Sequence, residues 1–213
     1  MEIIEFLGLS RAGKTTQQKA LANVLESEGH RCARPQRPPI RFKDCACLED
    51  FHIKFFDAFR RARDEAETAG YDFIIYDRGF YDRMVLLLAD SQRGSISPRF
   101  YADMNSAIEA QIPSVAYPFL FKIRPELSLA RWEEQRLRGM DNSELCEGLN
   151  TMDTLLELLS LDDTYAVVQC SYLIPIINAE LPRETITAEL NRFIKSEQLV
   201  GGIPENGTAR NRN

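Results

Sequence analysis

The chain has 213 residues, 44% hydrophobic and 27% charged, which suits one α/β domain with a substantial core. A formal net charge of −6 disfavours non-specific binding to long nucleic acid without excluding a locally basic cleft. No apolar run reaches the roughly 20 residues that span a bilayer, so no membrane partner is expected. The opening Met1-Glu2-Ile3-Ile4-Glu5 reads as strand with no basic leader, which gives the expectation of a cytoplasmic protein whose cysteines are free thiols.

Taken in order, residues 2–7 read as a buried parallel strand ending at Gly8. Residues 14–28 carry Ala20, Leu21, Val24 and Leu25 at helical spacing, and Gly29 stops the helix. His30 to Arg34 reads as a second strand, followed by a loop broken by Pro35, Pro38 and Pro39. From Leu48 to Ala69, Phe51, Phe55, Phe59 and Ala62 fall on one helical stripe. That stripe could be core or the surface of a homodimer. Phe73-Ile74-Ile75-Tyr76 is a third strand, running into Asp77-Arg78, with a helix after it through Leu88. A further helix spans Pro98 to Ile112, and Phe119 to Ile123 is a strand. Pro125 opens a helix that carries Arg131, Arg136 and Arg138 before Gly139. Asn142 to Leu159 reads as helix, Tyr172 to Ile177 as the last strand, and residues 183–196 as the last helix. Residues 1–197 are expected to form one domain and 198–213 a mobile tail. The alternation predicts an α/β fold with a mainly parallel sheet.

Gly8-Leu9-Ser10-Arg11-Ala12-Gly13-Lys14-Thr15 matches the phosphate-binding pattern G-x-x-x-x-G-K-[ST] in full, between a strand and a helix. Such a loop turns backbone N–H groups of residues such as Ser10, Arg11, Ala12 and Gly13 toward phosphate oxygens. Lys14 places a cation at the β/γ-phosphates, and Thr15 offers a hydroxyl to Mg²⁺, with Thr16 beside it. Asp77, at the carboxyl end of an apolar strand, is the candidate for a second Mg²⁺-organising group. Arg78 is placed to meet an acceptor phosphate or the transferring group. Arg131, Arg136 and Arg138 form a candidate lid, because arginine stays charged and pairs bidentately with phosphate. Asp82-Arg83 repeats the Asp-Arg dipeptide one turn on and reads as a supporting pair. No Asn-Lys-x-Asp element is present, which argues against a GTPase switch.

These residues together resemble the thymidylate kinases. Arg11-Ala12-Gly13-Lys14-Thr15-Thr16-Gln17 is similar to their phosphate loop, including the version with an arginine inside it. Asp77-Arg78 resembles their Asp-Arg-Tyr element with Gly79 in place of tyrosine, and Arg124 to Arg131 resembles the run into their lid. Ile176-Ile177-Asn178-Ala179 is similar to their last strand and adenine-side loop. The resemblance implies a three-layer fold with a five-stranded parallel sheet, ATP with Mg²⁺, and a nucleoside monophosphate acceptor. It implies that Lys14 and Arg11 stabilise the moving phosphoryl group, that Arg78 holds the acceptor phosphate and that Arg60 or Arg61 reaches it; Arg34 and Tyr81 are further candidates for the acceptor side. Ser10 stands where that family has Asp, and Ala33-Arg34-Pro35 lacks the family's carboxylate. Asp77 to Arg83 also resembles the Glu-Arg-Ser element of deoxynucleoside kinases, whose acceptor is a hydroxyl. An anionic acceptor needs neutralising cations, whereas a hydroxyl needs a base, for which Asp77 would serve.

Overall fold

A computed structural model describes residues 1–112, 115–138 and 151–201. Five strands form a single parallel sheet: β1 (Glu2–Leu7), β2 (Cys32–Ala33), β3 (Phe73–Asp77), β4 (Val115–Lys122) and β5 (Ile176–Asn178), in the order β2-β3-β1-β4-β5. Seven α-helices are described: α1 (Lys14–Ser27), α2 (Leu48–Thr68), α3 (Phe80–Gln92), α4 (Pro98–Glu109), α5 (Pro125–Leu137), α6 (Thr151–Tyr172) and α7 (Arg183–Gly201). The three-layer α/β arrangement and the five parallel strands agree with the expectation. α1 packs on β1 to β3 and against α7, while α3 packs on β1 and gathers α2, α4 and α6 around it. No described helix is long and apolar enough to cross a membrane.

The central strands are apolar because both faces are covered: Ile3, Ile4, Phe6 and Leu7 of β1, and Ile74 and Ile75 of β3, are all buried. The Phe stripe of α2 belongs to this core. Phe55 and Phe59 are buried, and Phe59 meets Tyr76 and Phe80 edge-on at 5.7 and 6.3 Å. The homodimer alternative for that stripe therefore loses its basis.

The largest departure from the sequence reading lies between residues 151 and 178. Tyr172 ends α6 instead of opening a strand, and the last strand is only Ile176–Asn178. α6 carries leucines around its whole circumference and Val167 and Val168 near its end, so its sequence shows no clean helical stripe. Packing on α3, through Tyr165 and Val168, decides the matter. The segment 142–150 of the helix expected from Asn142 lies outside the described residues, as does the tail from residue 202. α7 is helical through Gly201, past the start of the tail expected at 198.

The topology delivers the site. β1 and β3 are neighbours in register, with Phe6 opposite Asp77, so the loops leaving their carboxyl ends lie side by side. In an open parallel sheet this is where ligands bind.

Candidate active site

The loop after β1 turns around two glycines. Gly8 has φ +130°, and a Cβ there would collide with the Phe121 carbonyl on β4. Gly13 has φ +85° and precedes α1 directly. Between them Arg11 is held at φ 60°, a conformation that non-glycine residues rarely adopt and that here curls the backbone into a cup at the positive end of α1. Lys14 is buried, and its Nζ donates to the carbonyls of Gly8 at 2.9 Å and Leu9 at 2.7 Å. Burial, helped by the nearby Arg78 charge, pulls its pKa down to about 7.

The loop after β3 faces this cup. Thr15 Oγ1 donates to Asp77 Oδ2 in a close contact, which puts two hard oxygen donors at the loop's mouth. Magnesium takes one or two protein oxygens and completes its shell with water and substrate phosphates, so this pair fits it. Arg78 has φ 70°, a second strained residue at the same site. Its Nη1 donates to both oxygens of Asp82, at 3.1 and 3.0 Å, and to Tyr165 Oη at 3.2 Å. Its Nη2 reaches Ser10 Oγ at 3.3 Å. Tyr165 in turn donates to Asp82 Oδ1 at 2.5 Å. Burial disfavours charge on Arg78, but Asp82 outweighs it and raises the pKa above the ordinary value. The same pairing keeps Asp82 below its ordinary value despite burial.

Beneath this turn lies Glu5, fully buried in β1. Its Oε1 accepts from the backbone N–H groups of Gly79 at 3.1 Å and Asp82 at 2.9 Å, capping α3 from another strand. A Cβ on residue 79 would come within 2.8 Å of Glu5 Oε2, so glycine is the residue that fits here. Burial pushes the Glu5 carboxyl up to about 7, against the pull of the helix N–H groups. A folded-state pKa above the unfolded value means that folding takes up a proton between pH 4.5 and 7. Stability should therefore fall by up to about 3 kcal/mol as pH rises through that window, and Glu5→Gln should flatten the slope. Urea unfolding of both proteins at pH 5 and pH 7.5 measures this. Parallel curves would show that Glu5 does not titrate there.

The other predicted residues divide. Arg131 Nη1 donates to the Arg11 carbonyl at 3.1 Å, and Ser128 Oγ to the Ser10 carbonyl at 2.7 Å, so the start of α5 is tied to the phosphate loop. Arg138 is exposed and pairs with Glu134 at 2.5 Å, and the Arg136 side chain lies outside the described residues. Thr16 is exposed in the first turn of α1, in a cleft with Thr15, Lys19, Asn23 and Arg183. The proposed acceptor set is not brought together. Arg60 lies 5.9 Å over the Phe56 ring on α2, Arg61 and Arg34 are exposed, and Tyr81 is in the core against Tyr172. Arg37, three residues beyond Arg34, takes the rim position instead. Its guanidinium stands 5.8 Å over the Phe55 ring, and partial burial, reinforced by the charge of Arg78, lowers its pKa.

No protein-family model and no curated protein matches the chain. Solved structures do. A deoxyadenosine kinase from M. mycoides, with products dCMP and a flexible dCDP bound, superposes over 92% of this chain and 100% of its own, with a TM-score of 0.65 and 16% identity. The same enzyme with dATP bound gives 0.62 at 16% identity, and with dCTP bound 0.60 at 14%, over the same share of each chain. The chain shares the fold of these deoxyadenosine kinase structures. At this identity the likeness speaks for the architecture and not for the substrate.

Within this fold, two side chains escaped the sequence reading, and a third was read only as part of a supporting pair. Glu5 is a lone carboxylate in an apolar strand run, and that alone was a usable signal. Tyr165 carried none, because it lies on α6, 87 residues from Arg78. Arg83 was visible only as half of a repeated dipeptide, yet it is buried.

Proposed function

We propose that the chain transfers the γ-phosphoryl group of ATP to the hydroxyl of a nucleoside. The carrying observation is the state of Arg78. The sequence reading gave it to an acceptor phosphate, but its guanidinium is bound by Asp82, Tyr165 and Ser10. A hydroxyl acceptor needs no such cation. It needs a base, and Asp77 stands at the mouth of the loop to take its proton.

On this reading the loop backbone and Lys14 cradle the β- and γ-phosphates, and Arg11 adds charge beside them. Thr15 would hold Mg²⁺, with Asp77 acting on the ion only through its water shell, and the ion would neutralise charge on the phosphates. Arg131, through the Arg11 carbonyl, couples α5 to the loop, so that closure of the arginine-bearing segment would exclude water. Transfer would be in line, driven by positioning and charge.

Transfer to a nucleoside monophosphate is the second reading, and Arg37 favours it. Arg37 is a rim cation whose charge reaches Lys14 and Arg78. ADP release with a panel of nucleosides and their monophosphates decides between the two. Acceptor-dependent ADP release with nucleosides and none with monophosphates is the expected result. The reverse pattern, abolished in Arg37→Ala, would replace it with the monophosphate reading. ATP binding without ADP release from any acceptor would overturn both.

A further inference from the structure

Tyr165 is fully buried on α6, and its hydroxyl spends both of its functions on one ion pair. It donates to Asp82 Oδ1 at 2.5 Å and accepts from Arg78 Nη1 at 3.2 Å. Burial, with the Asp82 charge added, raises its pKa well above the ordinary value, so the proton stays on the oxygen. A buried ion pair gains little over apolar packing, so stability alone is a weak reason to keep this one. Its arginine also carries a backbone cost, at φ 70°. The helix that presents the tyrosine is itself held: Asp162, one turn earlier, pairs with Lys122 at the end of β4, and Val168, one turn later, is buried. A side chain on such an element is placed accurately.

The grip on Arg78 is one-sided. Nη1 donates to both oxygens of Asp82 and to Tyr165. Nη2 has only the Ser10 hydroxyl, at 3.3 Å, the longest bond of the set. Ser10 belongs to the phosphate loop, and its carbonyl is fixed from α5 by Ser128 Oγ at 2.7 Å. The weakly held edge of the guanidinium is thus the one that faces the phosphate cradle. A charge-assisted bond to a phosphate oxygen runs at about 2.7–2.9 Å, so such an oxygen can displace the Ser10 hydroxyl while the other edge stays clamped. The cradle already feels this cation, because the Arg78 charge adds to burial in lowering the Lys14 pKa. Two cations held this close favour an anion beside them.

We propose that Tyr165 is a positioning residue for phosphoryl transfer: with Asp82 it fixes one edge of the Arg78 guanidinium, so that the other edge, Nη2, meets an oxygen of the phosphoryl group as it moves. This rests on the phosphoryl-transfer reading. In that step the bond from the γ-phosphorus to its bridging oxygen breaks, a bond from the acceptor hydroxyl oxygen forms, and Asp77 takes the hydroxyl proton. Arg78 and Tyr165 exchange no atom. A pinned guanidinium cannot follow an acceptor, but it serves a group that moves past it, and its orientation is set before the charge develops.

The test uses the whole protein as wild type, Y165F, R78M and the double variant, with Mg²⁺, ATP and whichever acceptor the wild type consumes. ADP release gives kcat and the KM for ATP. Y165F should lower kcat by about ten- to thirtyfold and leave the KM within about twofold, because only the moving group loses its partner. In the R78M background, adding Y165F should change kcat by less than about twofold, because the tyrosine acts through that guanidinium. R78Q takes the place of R78M should methionine leave the protein unfolded. A second readout needs no acceptor: calorimetric binding of ADP with Mg²⁺, with and without aluminium fluoride, which imitates the moving phosphoryl group. The fluoride should tighten ADP binding to the wild type by about tenfold or more, and to Y165F by about threefold at most. A merely structural tyrosine would lower kcat equally in both backgrounds, weaken binding of ADP alone, or leave the effect of the fluoride intact. Any of these overturns the proposal, as does a Y165F kcat equal to that of the wild type. Absence of ADP release from any acceptor would strike the phosphoryl-transfer reading, and the fluoride comparison would still decide the role of Tyr165.

Discussion

Lys14→Met is expected to lower the turnover number by about a thousandfold while leaving the fold in place. Phosphoryl transfer gains little from covalent help, so a lost cation at the moving group appears almost wholly in the rate. Lys14 is the buried cation of the phosphate loop, and methionine keeps its stem length without its charge. The stability cost should be small. Two hydrogen bonds to the Gly8 and Leu9 carbonyls are lost, worth about 1 kcal/mol each. Against them, the variant no longer buries a charge that the protein disfavours. A lysine pKa lowered to about 7 means that this penalty is full below pH 7 and is relieved as pH rises toward 10.5. Lys14→Met should therefore fare best against the wild type in mildly acidic solution. Circular dichroism with urea titration at pH 6, beside ADP release at saturating ATP, checks both parts. Turnover within about tenfold of wild type would remove Lys14 from the reaction.

The frame of this site is local in sequence and the rest is not. Gly8, Gly13, Lys14 and Thr15 lie within eight residues, and their spacing dictates the turn that the backbone makes. Asp77 was legible because an apolar strand ends on it, which fixes it at the carboxyl edge of the sheet beside β1. The acceptor side has no such local grammar. Arg60 and Arg61 enter the acceptor set through the family resemblance, with Arg34 beside them, but α2 turns Arg60 and Arg61 outward and Arg34 stays exposed. Arg37 reaches the rim because the loop around Pro35 and Pro38 carries it over the Phe55 ring. Tyr165 belongs to a helix whose uniform hydrophobicity concealed it, so the partner that completes the Arg78–Asp82 pair could not be seen from the chain alone. The same concealment displaced the last strand. α6 runs through Tyr172, and the edge strand that follows is three residues long, too short for a periodic signal.

Asp82→Ala is expected to destabilise the protein by about 3–5 kcal/mol. Asp82 is 1% exposed and is the anionic centre for two buried or half-buried guanidiniums, Arg78 and Arg83, and for Lys14. It accepts two bonds from Arg78 and one from Tyr165. Its removal leaves Asp77 acting on Arg78 and Lys14 and Asp90 on Arg83, and the buried positive charge is then in excess. A domain holds only about 5–15 kcal/mol in all, so the variant should be partly unfolded near 40 °C. Asp82→Asn separates charge from shape: it keeps an acceptor for Tyr165 and loses the charge, so its cost should lie below that of alanine. Tyr165→Phe removes one hydroxyl and should cost about 1–2 kcal/mol. The Asn and Phe changes combined should fall short of additive by about 1 kcal/mol or more, because both act on the same carboxylate. The pH dependence has a definite sign. A carboxyl whose folded pKa is lowered contributes stability that is present above its unfolded value of 3.8 and is lost as pH falls below it. The gap between wild type and Asp82→Asn should thus be full at pH 7 and close in acid. Urea midpoints at pH 7 and pH 3 measure it, and a gap that widened in acid would show that Asp82 is not the anion holding Arg78 in place.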